Sequence, residues 1–183
     1  RERALDTNFQ GSTDDTDFSG RLGLQWDLSD TGTAYATFSQ GYKGPAFNVF
    51  YNMGDADRDP IDAETSDSFE IGYKHAASWG FISFAAYMAD IEDFQANDLD
   101  DSDGTTITGF TNGGDVETEG FEVDFIWNVS ADWLISGGAS ISDAQSTTGA
   151  DLPFAPDTKV SLATQYDRPL ENGATLRFFG SYV

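Results

Sequence analysis

Apolar and polar residues alternate along most of the chain. Between 21 and 28 the even positions are Leu22, Leu24, Trp26 and Leu28, and the odd ones are Arg21, Gly23, Gln25 and Asp27. Successive side chains of a strand point to opposite faces, so this period of two predicts a strand with one apolar and one polar face. The pattern returns at 68–74, with Phe69, Ile71 and Tyr73 against Glu70 and Lys74. At 120–128, Phe121, Val123, Phe125 and Trp127 interleave with Glu122 and Asp124. In 81–92 it sets Phe81, Ala85, Tyr87 and Ile91 against Asp90 and Glu92. Three more strands follow: one carries Ile135, Ala139 and Ile141, the next Val160, Leu162 and Tyr166 opposite Lys159 and Gln165, the last Leu176, Phe178 and Tyr182 opposite Arg177. Residues 33–42 read as a strand of ambiguous facing. Eight strands are predicted in an all-β chain.

The links between them sort by length. Those at 29–32, 76–80, 130–132 and 168–173 are short and rich in turn formers. Those at 44–64, 97–105 (extending as far as 114) and 145–157 are long. Short and long links alternate, which puts all the turns at one end and all the long loops at the other. An antiparallel up-and-down transmembrane β-barrel has this arrangement, whereas a β-sandwich need not. Trp26, Trp79, Trp127 and Trp133 all fall close to a short turn, as in an aromatic girdle at headgroup depth. None of these apolar faces includes a charge, so Leu24, Ile71, Tyr87, Phe125, Leu162 and Phe178 are expected to face lipid. Arg21, Asp27, Glu70, Lys74, Asp90, Glu92, Glu122, Asp124, Lys159 and Arg177 are expected to face inward. The eight strands are expected to form an open arc edged by 21–28 and 174–183, as part of a longer chain.

Composition narrows the chemistry. The chain has 183 residues with 32 Asp and Glu against 9 Lys and Arg, a net charge of −23. A chain so acidic has no cationic surface to displace counterions from nucleic-acid phosphates. There is no cysteine, which excludes disulfides, thiol catalysis and cysteine metal sites. One histidine, His75, leaves no His-rich metal site and no Ser–His or Asp–His grouping, so no catalytic residue is expected and the chain reads as a non-enzyme. No apolar run reaches the ~20 residues of a membrane-spanning helix.

Four stretches resemble the C-terminal barrel part of TonB-dependent outer-membrane receptors. Tyr35-Ala36-Thr37-Phe38-Ser39-Gln40-Gly41-Tyr42-Lys43-Gly44-Pro45 is similar to that family's YASYSQGYK-type strand end and Pro-containing loop. Ala63-Glu64-Thr65-Ser66-Asp67-Ser68-Phe69-Glu70 resembles its PETSDSYE-type segment, with Ala63 where proline is usual. Tyr87-Met88-Ala89-Asp90-Ile91-Glu92-Asp93-Phe94-Gln95 resembles an FYTDYKDFQ-type strand, and Asn112-Gly113-Gly114 before Glu119-Gly120-Phe121-Glu122-Val123 resembles an NAG…KGVELE pair. The resemblance implies a barrel of twenty-two strands, of which residues 1–183 would supply about eight. It also implies an N-terminal plug, of which no segment appears here, and TonB-powered uptake of a scarce nutrient, most often a ferric siderophore, also haem, cobalamin or glycans. The implied partners are outer-membrane lipid and lipopolysaccharide, the TonB complex through the plug, and a small-molecule or metal-chelate substrate, in the outer membrane of a Gram-negative bacterium. No cofactor is implied.

Candidate sites are few. The segments 1–18, 44–64, 97–105 and 145–157 hold sixteen acidic residues against three arginines, which reads as solvated acidic loop or as divalent-cation binding. Asp55-x-Asp57-x-Asp59 opens like an EF-hand loop, but Pro60 replaces the glycine and Ser66 the final glutamate. Asp101-x-Asp103-Gly104 lacks the first and last acids. The pairs Glu122/Asp124 and Asp90/Glu92 read as inward polar residues of a water-filled barrel. Tyr42, Phe47, Phe50 and Tyr51 form a candidate ligand vestibule, where aromatic rings would stack on an incoming ligand or on neighbouring loops. Two rival readings are a small self-contained outer-membrane barrel of adhesive or structural role, and a soluble extracellular glycan-binding β-sandwich.

Overall fold

The computed structural model describes residues 11–47, 59–100, 107–147, 152 and 155–183. Among them are ten strands: β1 (Gly20–Ser29), β2 (Gly32–Lys43), β3 (Glu64–Ala77), β4 (Gly80–Glu92), β5 (Gln95–Asp100), β6 (Ile107–Asn112), β7 (Val116–Ser130), β8 (Trp133–Ser146), β9 (Thr158–Pro169) and β10 (Thr175–Tyr182). Eight form one antiparallel sheet in the order β1-β2-β3-β4-β7-β8-β9-β10, and β5 pairs with β6 in a separate hairpin. The sheet is open, with β1 and β10 as its edges. The hairpin adds two strands, β5 and β6, where a long link is expected at 97–105. Its residues, Gln-Ala-Asn-Asp-Leu-Asp in β5, are poor strand formers without a period of two, so pattern alone hides them. The strands also run further toward the long links than predicted: β3 starts at Glu64, β7 at Val116.

Residues opposed across antiparallel strands share a face, so each face can be followed across the sheet. One rung of the apolar face runs Leu24, Ala36, Ile71, Ala86, Phe121, Ile141. The next runs Trp26, Ala34, Tyr73, Phe84, Val123, Ala139, Val160. On the other face lie Gln25, Tyr35, Gly72, Ala85, Glu122, Ser140 and Lys159. This register settles β2, whose Ala34, Ala36 and Phe38 belong to the apolar face.

It also reverses β4. Tyr87 is opposed to Glu70 and Gly120, so Tyr87, with Phe81, Ala85 and Ile91, lies on the polar face and not toward lipid. The apolar face takes Ile82, Phe84, Ala86 and Met88 instead. Asp90 and Glu92 are therefore not inward residues. They share the apolar register, where Asp67, Asp90 and Glu117 form one rung and Glu119 faces Asp143. The apolar face is thus a charge-free band that ends in acids toward the long links. The other proposed inward residues do lie on the polar face, and Arg177 there makes a two-pronged ion pair with its cross-strand partner Asp167, both contacts at 2.7 Å.

The short-turn end is aromatic. Trp26, Trp127 and Trp133 lie on the apolar face, Trp133 donating to Thr164 Oγ1 at 2.9 Å. His75 stacks between Tyr73 and Trp79, at ring separations of 6.4 and 5.7 Å. The β3–β4 turn requires Gly80, whose φ of 143° brings it against the Ile126 carbonyl where a side chain has no room.

Among the described residues Val116, 3% exposed, is the one buried apolar side chain, while Leu24 is 72% exposed and Phe178 56%. A sandwich would need a second sheet to cover the band, and the eight long strands here are all in one layer. Hydrocarbon is the solvent such a face fits.

Candidate functional site

The long-link end of the sheet gathers chemistry that the periodicity does not show. After β4 the chain turns at Asp93, whose φ of 53° lies in the left-handed region, tolerated by Asp better than by most side chains. The Asp93 N–H donates to the Asp115 carboxylate at 3.1 Å. Phe94 and Gly114 close the corner, with Phe94 N–H to Gly114 carbonyl at 3.0 Å and Gly113 N–H to Phe94 carbonyl at 2.7 Å. The turn launches the hairpin with Gln95 directly opposite Asn112, so the two amide side chains leave it on the same face.

Both amides grip the link between β2 and β3. Asn112 Oδ1 accepts from the Asp62 N–H at 2.8 Å, and its Nδ2 donates to the Asp62 carbonyl at 3.1 Å and to the Asp93 carbonyl at 2.9 Å. Gln95 Nε2 donates to the Asp62 carbonyl at 2.9 Å and to the Gly44 carbonyl at 3.1 Å. The Gln95 backbone N–H donates to Glu64 Oε2 at 2.8 Å, and Lys43 Nζ stands 3.7 Å from the same oxygen. Gln95 is 8% exposed. Just outside this knot Ala46 and Ile61 pair as an isolated antiparallel bridge, pinching the two ends of the link into a neck.

A primary amide is suited to this position because it carries an acceptor and two donors on one planar group. Asn112 treats Asp62 as a neighbouring strand would, meeting the N–H and the carbonyl of one residue. Lys43-Gly44, Glu64, Gln95 and Asn112 come from the four stretches that carry the family resemblance. Nothing in their sequence spacing marks a role for them, and the structure brings them together.

The candidate vestibule residues are placed as follows. Tyr42 is opposed to Thr65 and thereby to Glu92, on the register of the apolar face, with the carboxylates of Asp15 and Asp17 in its surroundings. Phe47 follows the Ala46 bridge residue at the neck and is half-buried. Phe50 and Tyr51 lie outside the described residues, as do Asp55, Asp57, Asp101 and Asp103 of the two EF-hand-like spacings. Glu122 and Asp124 sit on the polar face within the sheet, away from the knot.

The family model for the β-barrel of TonB-dependent receptor-like proteins matches residues 2–183. The pesticin receptor of Yersinia pestis is 24% identical over 153 residues, which cover 80% of this chain and 22% of that receptor. The catecholate siderophore receptor Fiu of Escherichia coli is 25% identical over 196 residues, covering 93% of this chain and 24% of Fiu. The crystal structure of the ferric yersiniabactin uptake receptor FyuA from Yersinia pestis matches with a TM-score of 0.73 at 20% identity, over 87% of this chain and 24% of that one. The chain spans about a quarter of the length of these relatives.

Proposed function

Because the chain belongs to the TonB-dependent receptor-like β-barrel family, we propose that it forms wall and rim of a Gram-negative outer-membrane receptor for active uptake of a scarce nutrient. The observation that carries this reading is a single sheet with a charge-free band on one face and a polar surface on the other. Such a wall has lipid and lipopolysaccharide on one side and a hydrated lumen on the other. A ferric siderophore is the proposed substrate, in keeping with relatives named as a catecholate siderophore receptor and a ferric yersiniabactin uptake receptor. The wall performs no chemistry on it. Phe47, Phe50 and Tyr51 are proposed to offer ring surfaces to the chelate at the mouth, whereas Tyr42 shares the outward register of Glu92. Transport energy comes from the TonB complex acting on the plug that the resemblance implies.

The test is uptake by the intact receptor in a bacterium stripped of its own siderophore receptors, with iron(III) complexes of a catecholate siderophore and of yersiniabactin as probes. Iron uptake should appear with at least one and vanish when the proton motive force is collapsed. Uptake that continues after uncoupling marks a diffusion channel and ends the active-transport reading.

A further inference from the structure

The rim knot has a geometry that wall-building alone does not demand. The eight-stranded sheet is complete without Gln95 and Asn112, since β4 pairs directly with β7 and the β5–β6 hairpin stands outside it. Nevertheless two amide side chains on one rung of that hairpin engage a single residue of the β2–β3 link, Asp62. The Asp62 N–H has Asn112 Oδ1 as its acceptor, and the Asp62 carbonyl accepts from both Asn112 and Gln95. Gln95 reaches the other end of the same link through the Gly44 carbonyl, and its own N–H is held by Glu64. The hairpin therefore grips both ends of the neck at once. Removing the Asn112 amide takes these partners from the Asp62 N–H and the Asp93 carbonyl, and removing the Gln95 amide takes its donor from the Gly44 carbonyl. Gln95 is nearly excluded from water, so such losses oppose local rearrangement short of full release.

We infer that Gln95 and Asn112 are positioning residues that lock the neck of the β2–β3 link to the β5–β6 hairpin, so that both segments present one preorganised surface to ligand. The inference rests on the receptor reading for its functional half, and on the hydrogen-bond geometry alone for its structural half. Its logic is that of a competent fraction. If opening the knot lowers the share of molecules with the two segments in register, capture slows in proportion, while departure from the correctly formed complex is unchanged. A residue that touches the ligand would act the other way, through faster release.

The experiment uses the intact receptor in detergent, as wild type, Asn112→Leu and Gln95→Leu, with Asn112→Asp as a variant that keeps the shape but loses the Nδ2 donor. Heat-modifiable gel migration confirms that each barrel is folded. Amide exchange should then quicken at least tenfold in peptides covering both 59–64 and 93–97 in every variant, with β7 and β8 unchanged. Unchanged exchange, or quickening in only one of the two segments, overturns the lock. With an iron(III) catecholate probe, the association rate should fall several-fold at a constant dissociation rate. A rise in dissociation at constant association overturns the positioning role in favour of direct contact. A wild-type receptor that binds no siderophore sinks the substrate reading, while the exchange result still decides the lock.

Discussion

In the middle of the wall Ile71, Ala86 and Phe121 lie side by side with carbon on either hand, whereas at the rim Asp62, Gln95 and Asn112 meet through donors and acceptors. The wall is specified by parity. Slipping β1, β3 or β7 by one residue would turn its carbon toward water and its charges toward lipid, so the register is fixed by solvent on both faces without a buried core. The rim has no such two-sided solvent to hold it, and it relies on a few directional contacts from side chains of one shape. A wall built this way tolerates exchange among apolar residues and rejects charge. A rim built this way accepts charge nearby, as with Asp67, Asp90, Glu117 and Glu119, and depends on particular amides.

The sharpest way to break the comparison is to place the same charge on neighbouring residues of β4. Ala86 lies in the charge-free band and Ala85 on the polar face opposite Glu122. Ala86→Arg is expected to destabilise the intact barrel in lipid vesicles by about 2–4 kcal/mol, the cost of a cation on the lipid face near the midplane. Ala85→Arg should cost much less, with Glu122 as a neighbour of opposite sign. Denaturant unfolding of the two variants decides it, and equal losses would mean that β4 is not faced as its register states.

The difficulty of β4 also shows what was legible in the sequence. For β1, β3, β7, β9 and β10 one parity is apolar and the other polar, so facing followed from the period of two. In β4 both parities are apolar, with Phe81, Ala85, Tyr87 and Ile91 on one and Ile82, Phe84, Ala86 and Met88 on the other. The acids Asp90 and Glu92 tipped the reading the wrong way, because they lie above the band and obey a different solvent. In β2 small residues and Tyr35 blurred the contrast. The β5–β6 hairpin and the knot were not legible as structure because a side-chain amide bonding to a distant peptide leaves no periodic trace. Only the resemblance of Asp93-Phe94-Gln95 and Asn112-Gly113-Gly114 to family stretches marked them.

The polar face offers a second, smaller contrast, since its tyrosines lie over glycines of the adjacent strand. Tyr87 covers Gly120 and Tyr35 covers Gly72. A methyl at Gly120 would meet both the Tyr87 hydroxyl, at 2.5 Å, and the Ile141 carbonyl, at 2.8 Å. Backbone on one side leaves nowhere to yield, so Gly120→Ala should cost about 1–3 kcal/mol, the range of overpacking. At Gly72 the nearest obstacle is the Tyr35 ring, which can swing out at the loss of Lys74 Nζ 4.9 Å above it. Gly72→Ala should therefore cost about 1 kcal/mol or less. Matching losses at the two sites would show that the tyrosines, and not the backbone, set the spacing.

The smallest expected effect on global unfolding belongs to the corner that aims the knot, and it separates backbone geometry from charge. Asp93 holds φ at 53° while its N–H and carbonyl are both engaged, by Asp115 and Asn112. The corner needs a residue that accepts the left-handed region, and it uses the peptide groups of Asp93 for its bonds. Asp93→Val puts a branched side chain where that conformation is strained, at a cost of about 1–3 kcal/mol. The strain falls on the corner, so the loss should appear as faster amide exchange at 93–97 with little change in global unfolding of the barrel. Asp93→Asn keeps the tolerance for the left-handed region and removes one of the many acids at this end. It should leave exchange there unchanged. If the asparagine variant loosened the corner as much as the valine variant does, the carboxylate would be the holding group and the rim would depend on charge after all.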